Sequence, residues 1–151
     1  MGTKLQNLLD FNIEQLEEAV KAMGQPKFRT KQLWEWLYKG ADFSDMTNLP
    51  ESFRTTLSEK YRAGRLGIKA KLCSKVDETV KYLFDLGDGN LVESVLMKYK
   101  YGYSACVSTQ VGCKMGCKFC ASAIAAFVRN LEPSEMLMQI YESEINSCVK
   151  I

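Results

Sequence analysis

The chain has 151 residues, 46% hydrophobic and 25% charged, with a net charge of +2 and no histidine. That is ordinary globular composition, with length for one domain or one small domain plus part of another. The charge is spread evenly, so no global basic field announces nucleic acid. No apolar run is long enough to span a membrane, and the polar start from Met1 to Gln6 is unlike a signal peptide.

Residues 1–65 read as helical. Asn12 and Gln15 form a capping box, and Ile13, Leu16, Val20 and Met23 recur at helical spacing before Gly24. Pro26 precedes a second helix, expected over 27–39, with Phe28, Leu33, Trp34 and Leu37 as its apolar stripe. After a loop from Asp42 to Pro50, a third helix over 51–61 turns Phe53 and Leu57 inward. Lys27, Arg29 and Lys31, beside Phe28 and Trp34, put cations at a helix start where backbone N–H groups can also meet phosphate. They are either RNA contacts or a solvated face over an aromatic core.

From Gly67 the hydrophobic period changes from 3.6 to 2. Strands are expected over 68–73, 79–86 and 91–97, with turns at Asp77–Glu78 and Gly87–Asn90. In the third strand Glu93 shares a face with Leu91, Val95 and Met97. A carboxylate buried among such neighbours would be driven toward its protonated form, which suits proton transfer; an edge-strand glutamate pointing at water is the other reading. A further strand, Tyr103 to Val111, runs into the cysteine segment. Pro133 opens a last helix through Met136, Ile140 and Ile145.

Four of the six cysteines fall between Cys106 and Cys120, which suits a reduced, cytoplasmic metal or redox site better than a disulfide framework. Cys113, Cys117 and Cys120 are spaced C-x3-C-x2-C. Three thiolates can hold a 4Fe-4S cubane and leave one iron open. A zinc site using Cys106 as a fourth ligand is the alternative, although zinc sites usually pair two C-x2-C knuckles. Inert buried cysteines are a third reading, opposed by Lys114, Gly116 and Lys118 between them.

The spacing, with Phe119 directly before the last cysteine, resembles the signature of radical S-adenosylmethionine (SAM) enzymes, in which the open iron binds SAM and the aromatic residue lies near it. Over essentially its whole length the chain resembles the dual-specificity methyltransferases that act on C2 of adenine in 23S rRNA and tRNA. FRTKQLWEWLY, DGNLVESVLM, CVSTQVGCKMGCKFCAS and VRNL carry the resemblance. It implies an α+β fold: a helical RNA-engaging accessory domain at 1–65, a β-meander linker at 66–100, and at 101–151 the opening strand–loop–helix of an incomplete (β/α) barrel.

The resemblance also implies roles. Cys113, Cys117 and Cys120 match the cluster ligands and Glu93 the proton acceptor. Cys106 matches a cysteine that forms a transient disulfide with a methyl-carrying cysteine absent from this sequence. Lys27, Arg29 and Lys31 gain weight as RNA contacts. One SAM would methylate that second cysteine, and a radical made from another SAM would activate the methyl group for addition to adenine. An external electron donor such as flavodoxin and a monomeric full-length enzyme are implied too. Ala125-Ala126 stands where many relatives have a glycine pair, and Lys98 where proline is common. Cys148 does not replace the missing cysteine. The chain is expected to be an N-terminal fragment, inactive alone; the alternative is an RNA-binding or metal-binding module without catalysis.

Overall fold

The computed structural model describes residues 5–124, 126–147 and 151. Cys148 and Ala125 therefore lie outside the described residues. Contacts divide the chain into two units, Met1–Arg65 and Leu66–Ile151.

In the first unit, β1 (Gln6–Asn7) leads through a 3-10 turn to α1 (Ile13–Ala22), followed by α2 (Phe28–Leu37), a second 3-10 turn, α3 (Glu51–Lys60) and β2 (Tyr61–Arg62). The expected capping box starts α1: Gln15 N–H donates to Asn12 Oδ1 at 2.8 Å, and Asn12 N–H donates to Gln15 Oε1 at 2.9 Å. Leu16, Val20, Leu33, Leu37, Phe53 and Leu57 form the core with Leu8 and Met46. Two expected core positions do not join it. Ile13 sits in the first turn of α1 and is exposed, and Phe28, at the start of α2, is 57% exposed with the Arg29 guanidinium over its ring. Thr30 takes the buried place one turn before Leu33.

β1 and β2 pair in parallel, bringing both ends of this unit together. The close approach falls at Gly64, whose φ is +55°, a region costly for other residues. A Cβ there would meet Asn7 Nδ2 at 1.8 Å, and Asn7 is buried, its Oδ1 accepting from Leu9 N–H. Gly64→Ala is expected to destabilise this unit by about 2 kcal/mol or more. Both tryptophans, Trp34 and Trp36, lie on α2, so a urea titration followed by tryptophan emission reads that loss directly.

In the second unit, β3 (Gly67–Cys73), β4 (Val80–Asp85), β5 (Leu91–Tyr99) and β6 (Gly102–Cys106) form one antiparallel sheet in sequence order. Alternation decides its faces. Tyr82, Phe84, Val92 and Leu96 are buried on one side with Val111 and Leu131; Lys81, Leu83, Glu93 and Val95 occupy the other. The chain continues through β7 (Gln110–Val111), the cysteine loop, the short helix α4 (Ala121–Ile124), β8 (Arg129–Asn130) and α5 (Pro133–Ser147).

The strand expected from Tyr103 to Val111 is thus two strands. It breaks after Cys106 because Gln139 of α5, fully buried, takes the place of a neighbouring strand. Its Oε1 accepts from Ser108 N–H at 2.8 Å and its Nε2 donates to Ser108 C=O at 2.9 Å. β7 then pairs with β8 in a separate two-stranded sheet. Of the apolar residues noted along α5, Met136 packs partly against the core, but the buried face is largely polar. Ser134, Glu135, Met138, Gln139, Glu142 and Ser143 face inward, while Ile145 is exposed. Polar side chains are tolerated there because they have partners, as Gln139 illustrates.

Candidate active site

Glu93 projects from the exposed face of the sheet. Its side chain is 57% exposed and its Oε1 lies 2.6 Å from Lys81 Nζ, a diagonal neighbour across the β4–β5 ladder. The reading of a buried carboxylate is therefore corrected, because the face it shares with Leu91, Val95 and Met97 is the open one. The glutamate points at water, as the other reading expects, on an inner strand whose ladder with β6 ends at Val95, two residues short of it.

The same register brings Cys106 beside it. Val95 pairs with Cys106 across the β5–β6 ladder, so Cys106 lies on the face that carries Glu93 and is its diagonal neighbour. Cys106 is exposed. Two serine bonds fix this end of the ladder: Ser94 Oγ donates to Cys106 C=O at 2.9 Å, and Ser108 Oγ donates to Glu93 C=O at 2.6 Å.

The cysteine loop begins one residue after Gly112, whose φ of +70° turns the chain out of β7. Cys113 and Cys120 are half-buried, Cys117 is exposed, and all three are free thiols. Within the loop Met115 N–H points to Cys113 Sγ at 3.4 Å, and Lys114 Nζ lies 4.2 Å from the centroid of the Phe127 ring. Phe119 is almost wholly exposed beside Cys120. Cys73, on edge strand β3, is exposed. A hollow of about 330 Å³ is bordered by Glu93, Ser108 and Gln110 and by Gly112, Ala121 and Ser122, which flank the cysteine loop. Glu93 and the residues on either side of the cysteine loop thus open on one cavity.

The donor set suits an iron–sulfur group: three soft thiols on an open loop, none consumed in a disulfide. Among the described residues no three His, Cys, Asp or Glu side chains are gathered as a single-ion site.

Lys27, Arg29 and Lys31 are in the other unit, where Lys27 pairs with Glu17 at 2.8 Å. Arg29 Nη1 donates to Gln32 Oε1 at 2.7 Å and to Asn48 C=O at 3.0 Å, so its charge is partly engaged within the fold. Lys31 is exposed.

One constellation escaped sequence reasoning. Arg129 donates from Nη1 and Nη2 to the two carboxylate oxygens of Glu135, at 2.7 and 2.8 Å. It also donates from Nε and Nη2 to Asp88 Oδ2, at 2.9 and 2.7 Å. One guanidinium thereby ties the β4–β5 turn, β8 and the first turn of α5. Burial works against charge on Asp88, but the hydrogen bonds from Arg129 and Asn90 outweigh it and hold the carboxyl at about 2. The Glu135 hydrogen bond, aided by Asp88, pushes Arg129 further above its ordinary value. The sequence signals were two separate strings, VRNL with the arginine and DGNLVESVLM beginning at Asp88, with nothing to join them or to single out Glu135.

Residues 6–62 match the model of the ribosomal RNA large subunit methyltransferase N-terminal domain. A probable dual-specificity RNA methyltransferase RlmN from Clostridium acetobutylicum is 46% identical over 141 residues, which is 93% of this chain and 41% of that protein. The Clostridium novyi protein of the same name is 42% identical over 149 residues, 97% of this chain and 43% of its own. The chain matches the N-terminal part of this methyltransferase family. Its fold agrees: a radical SAM methyltransferase from Sphaerobacter thermophilus superposes with a TM-score of 0.87 at 34% identity, covering 95% of this chain and 42% of that one. The chain therefore spans about two-fifths of the length of the RlmN proteins it matches. No helix among the described residues is long and apolar enough to cross a membrane.

Proposed function

We propose that residues 1–151 are the N-terminal part of a radical SAM methyltransferase that adds a methyl group to C2 of adenine in 23S rRNA and tRNA. The observation that carries this reading is the match of almost the whole chain, in sequence and in fold, to RNA and radical SAM methyltransferases. Cys113, Cys117 and Cys120 would hold a 4Fe-4S cluster, and Phe119 would flank SAM at its open iron. Cluster and SAM together supply radical chemistry, which suits a ring carbon too poor in electrons to take a methyl group from SAM directly.

The chain's own side chains do the rest. Glu93, at the rim of the hollow, accepts the proton lost from adenine C2. Lys81 holds that carboxylate in place on the open face of the sheet. Cys106, on the same face, offers the thiol for a transient disulfide at product release. Lys27, Arg29 and Lys31 contact RNA phosphates, Lys31 most freely. The enzyme would work in the cytoplasm as a monomer with an external one-electron donor such as flavodoxin.

The test is a chimaera in which residues 1–151 replace the matching N-terminal part of the Clostridium acetobutylicum relative. Mass spectrometry of digested rRNA and tRNA should find adenine methylated at C2. A well-folded chimaera that loads its cluster, cleaves SAM and leaves RNA unmodified would contradict the reading.

A further inference from the structure

The turn between β5 and β6 carries two aromatic side chains that the core does not use. Tyr99 and Tyr101 are stacked on each other, with ring centroids 5.2 Å apart and planes only 7° from parallel. They are 45% and 79% exposed. Lys98 and Lys100 flank Tyr99, and Lys100 is exposed between the two rings in sequence. The Lys98 ammonium is held by Glu78 at 2.7 Å and lies 5.6 Å from the centroid of the Tyr103 ring. A parallel aromatic pair beside a free-standing lysine is what a single-stranded nucleic acid uses: a flat surface for a base and a cation for its phosphate.

The register says where such a base would belong. Alternate residues of β5 share a face, so Tyr99 stands on the same side of the sheet as Met97, Val95 and Glu93. Its hydroxyl donates to Met97 Sδ at 3.5 Å, so the ring follows that face. Tyr99 lies six residue steps along the extended strand from Glu93, about 20 Å.

We propose that the Tyr99–Tyr101 pair, with Lys100, is a base-stacking platform that holds an unpaired nucleotide of the RNA a few positions from the adenine presented to Glu93. The inference rests on the RNA-modifying reading above and adds a contact outside the cysteine loop and the Lys27–Lys31 segment. Its chemistry is sequence-tolerant, since every base has a π-face, so it would serve ribosomal and transfer RNA alike. It also demands that the flanking nucleotide be unstacked, and so favours loops over duplex.

Fluorescence anisotropy of the 151-residue chain with a labelled single-stranded RNA and with a duplex RNA of the same length tests this. Tyr99→Ala/Tyr101→Ala should weaken binding of the single strand roughly tenfold or more and leave the duplex unchanged, whereas Tyr99→Phe/Tyr101→Phe should stay within about twofold of the parent. Lys100→Ala should lower the salt slope by about 0.7. Circular dichroism checks the fold. If the alanine pair unsettles the hairpin, Tyr99→Leu/Tyr101→Leu keeps apolar bulk without a π-face and should weaken the single strand as the alanines do. Single-strand binding indifferent to the loss of both rings would overturn the platform while leaving the RNA reading intact. A parent chain that binds neither RNA would bring down the RNA reading and the platform together.

Discussion

Arg129→Met is expected to lower the stability of the unit at 66–151 by about 3 kcal/mol or more, the scale on which breaking a buried charge pair is felt. Methionine keeps most of the volume and removes all the charge. Glu135 would then be left nearly buried, without the guanidinium that meets both its oxygens, and close to Asp88 with no cation between them. Urea unfolding followed by far-UV circular dichroism measures the loss. Tryptophan emission serves as the control, because both tryptophans belong to the other unit.

The same network gives a pH dependence with a definite sign. Asp88 is held at about 2 in the fold against an ordinary 3.8, so folding favours its ionised form. That contribution is complete above about pH 4 and fades as pH falls toward 2. Comparing parent and Arg129→Met across that window should show acid destabilisation in the parent and a shallower dependence in the variant. A variant as stable as the parent at pH 7 would mean that Arg129 does not tie the turn to α5 as described.

The second large effect concerns Glu93 in the methylating chimaera. Glu93→Gln keeps the shape and removes the carboxylate, and should cut methylation by roughly a hundredfold to ten-thousandfold, the range for losing a general base. Lys81 loses its charge partner in this variant, but the pair is exposed and contributes little to stability, so the fold should survive. Cys106→Ala should act at a different point, accumulating RNA covalently attached to the protein instead of slowing proton loss. Mass spectrometry separates the two outcomes. If both variants methylate at the parent rate, their shared place on the open face of the sheet is structural alone.

Much of this was legible in the sequence where one local rule decides the outcome. The Asn12–Gln15 box set the start of α1, and the change to period 2 after Gly67 placed the strands that became β3, β4 and β5. The C-x3-C-x2-C spacing marked the cysteine loop from sequence alone. What stayed hidden depends on partners distant in the chain. Glu93 has apolar neighbours on its own face, which suggested burial, but whether that face is covered depends on other elements, and β4 supplies Lys81 instead. The break after Cys106 could not be read from a string that alternates well through Val111, since it comes from Gln139, 31 residues beyond Ser108. The polar inner face of α5 was invisible for the same reason. Its glutamate and glutamine look solvent-facing until Arg129 and the Ser108 backbone are placed against them.

On the proposed function, Cys113, Cys117 and Cys120 together hold the cluster through three thiolates. Anaerobic reconstitution of the 151-residue chain with iron and sulfide tests it most directly. The expected product is a brown species with sulfide-to-iron charge-transfer absorption, holding roughly four irons and four sulfides per chain. Alanine at any one of the three cysteines should abolish it, while alanine at Cys73 should not. A chain that takes up one zinc ion and no sulfide, or that loads its cluster equally well without Cys117, would contradict the account.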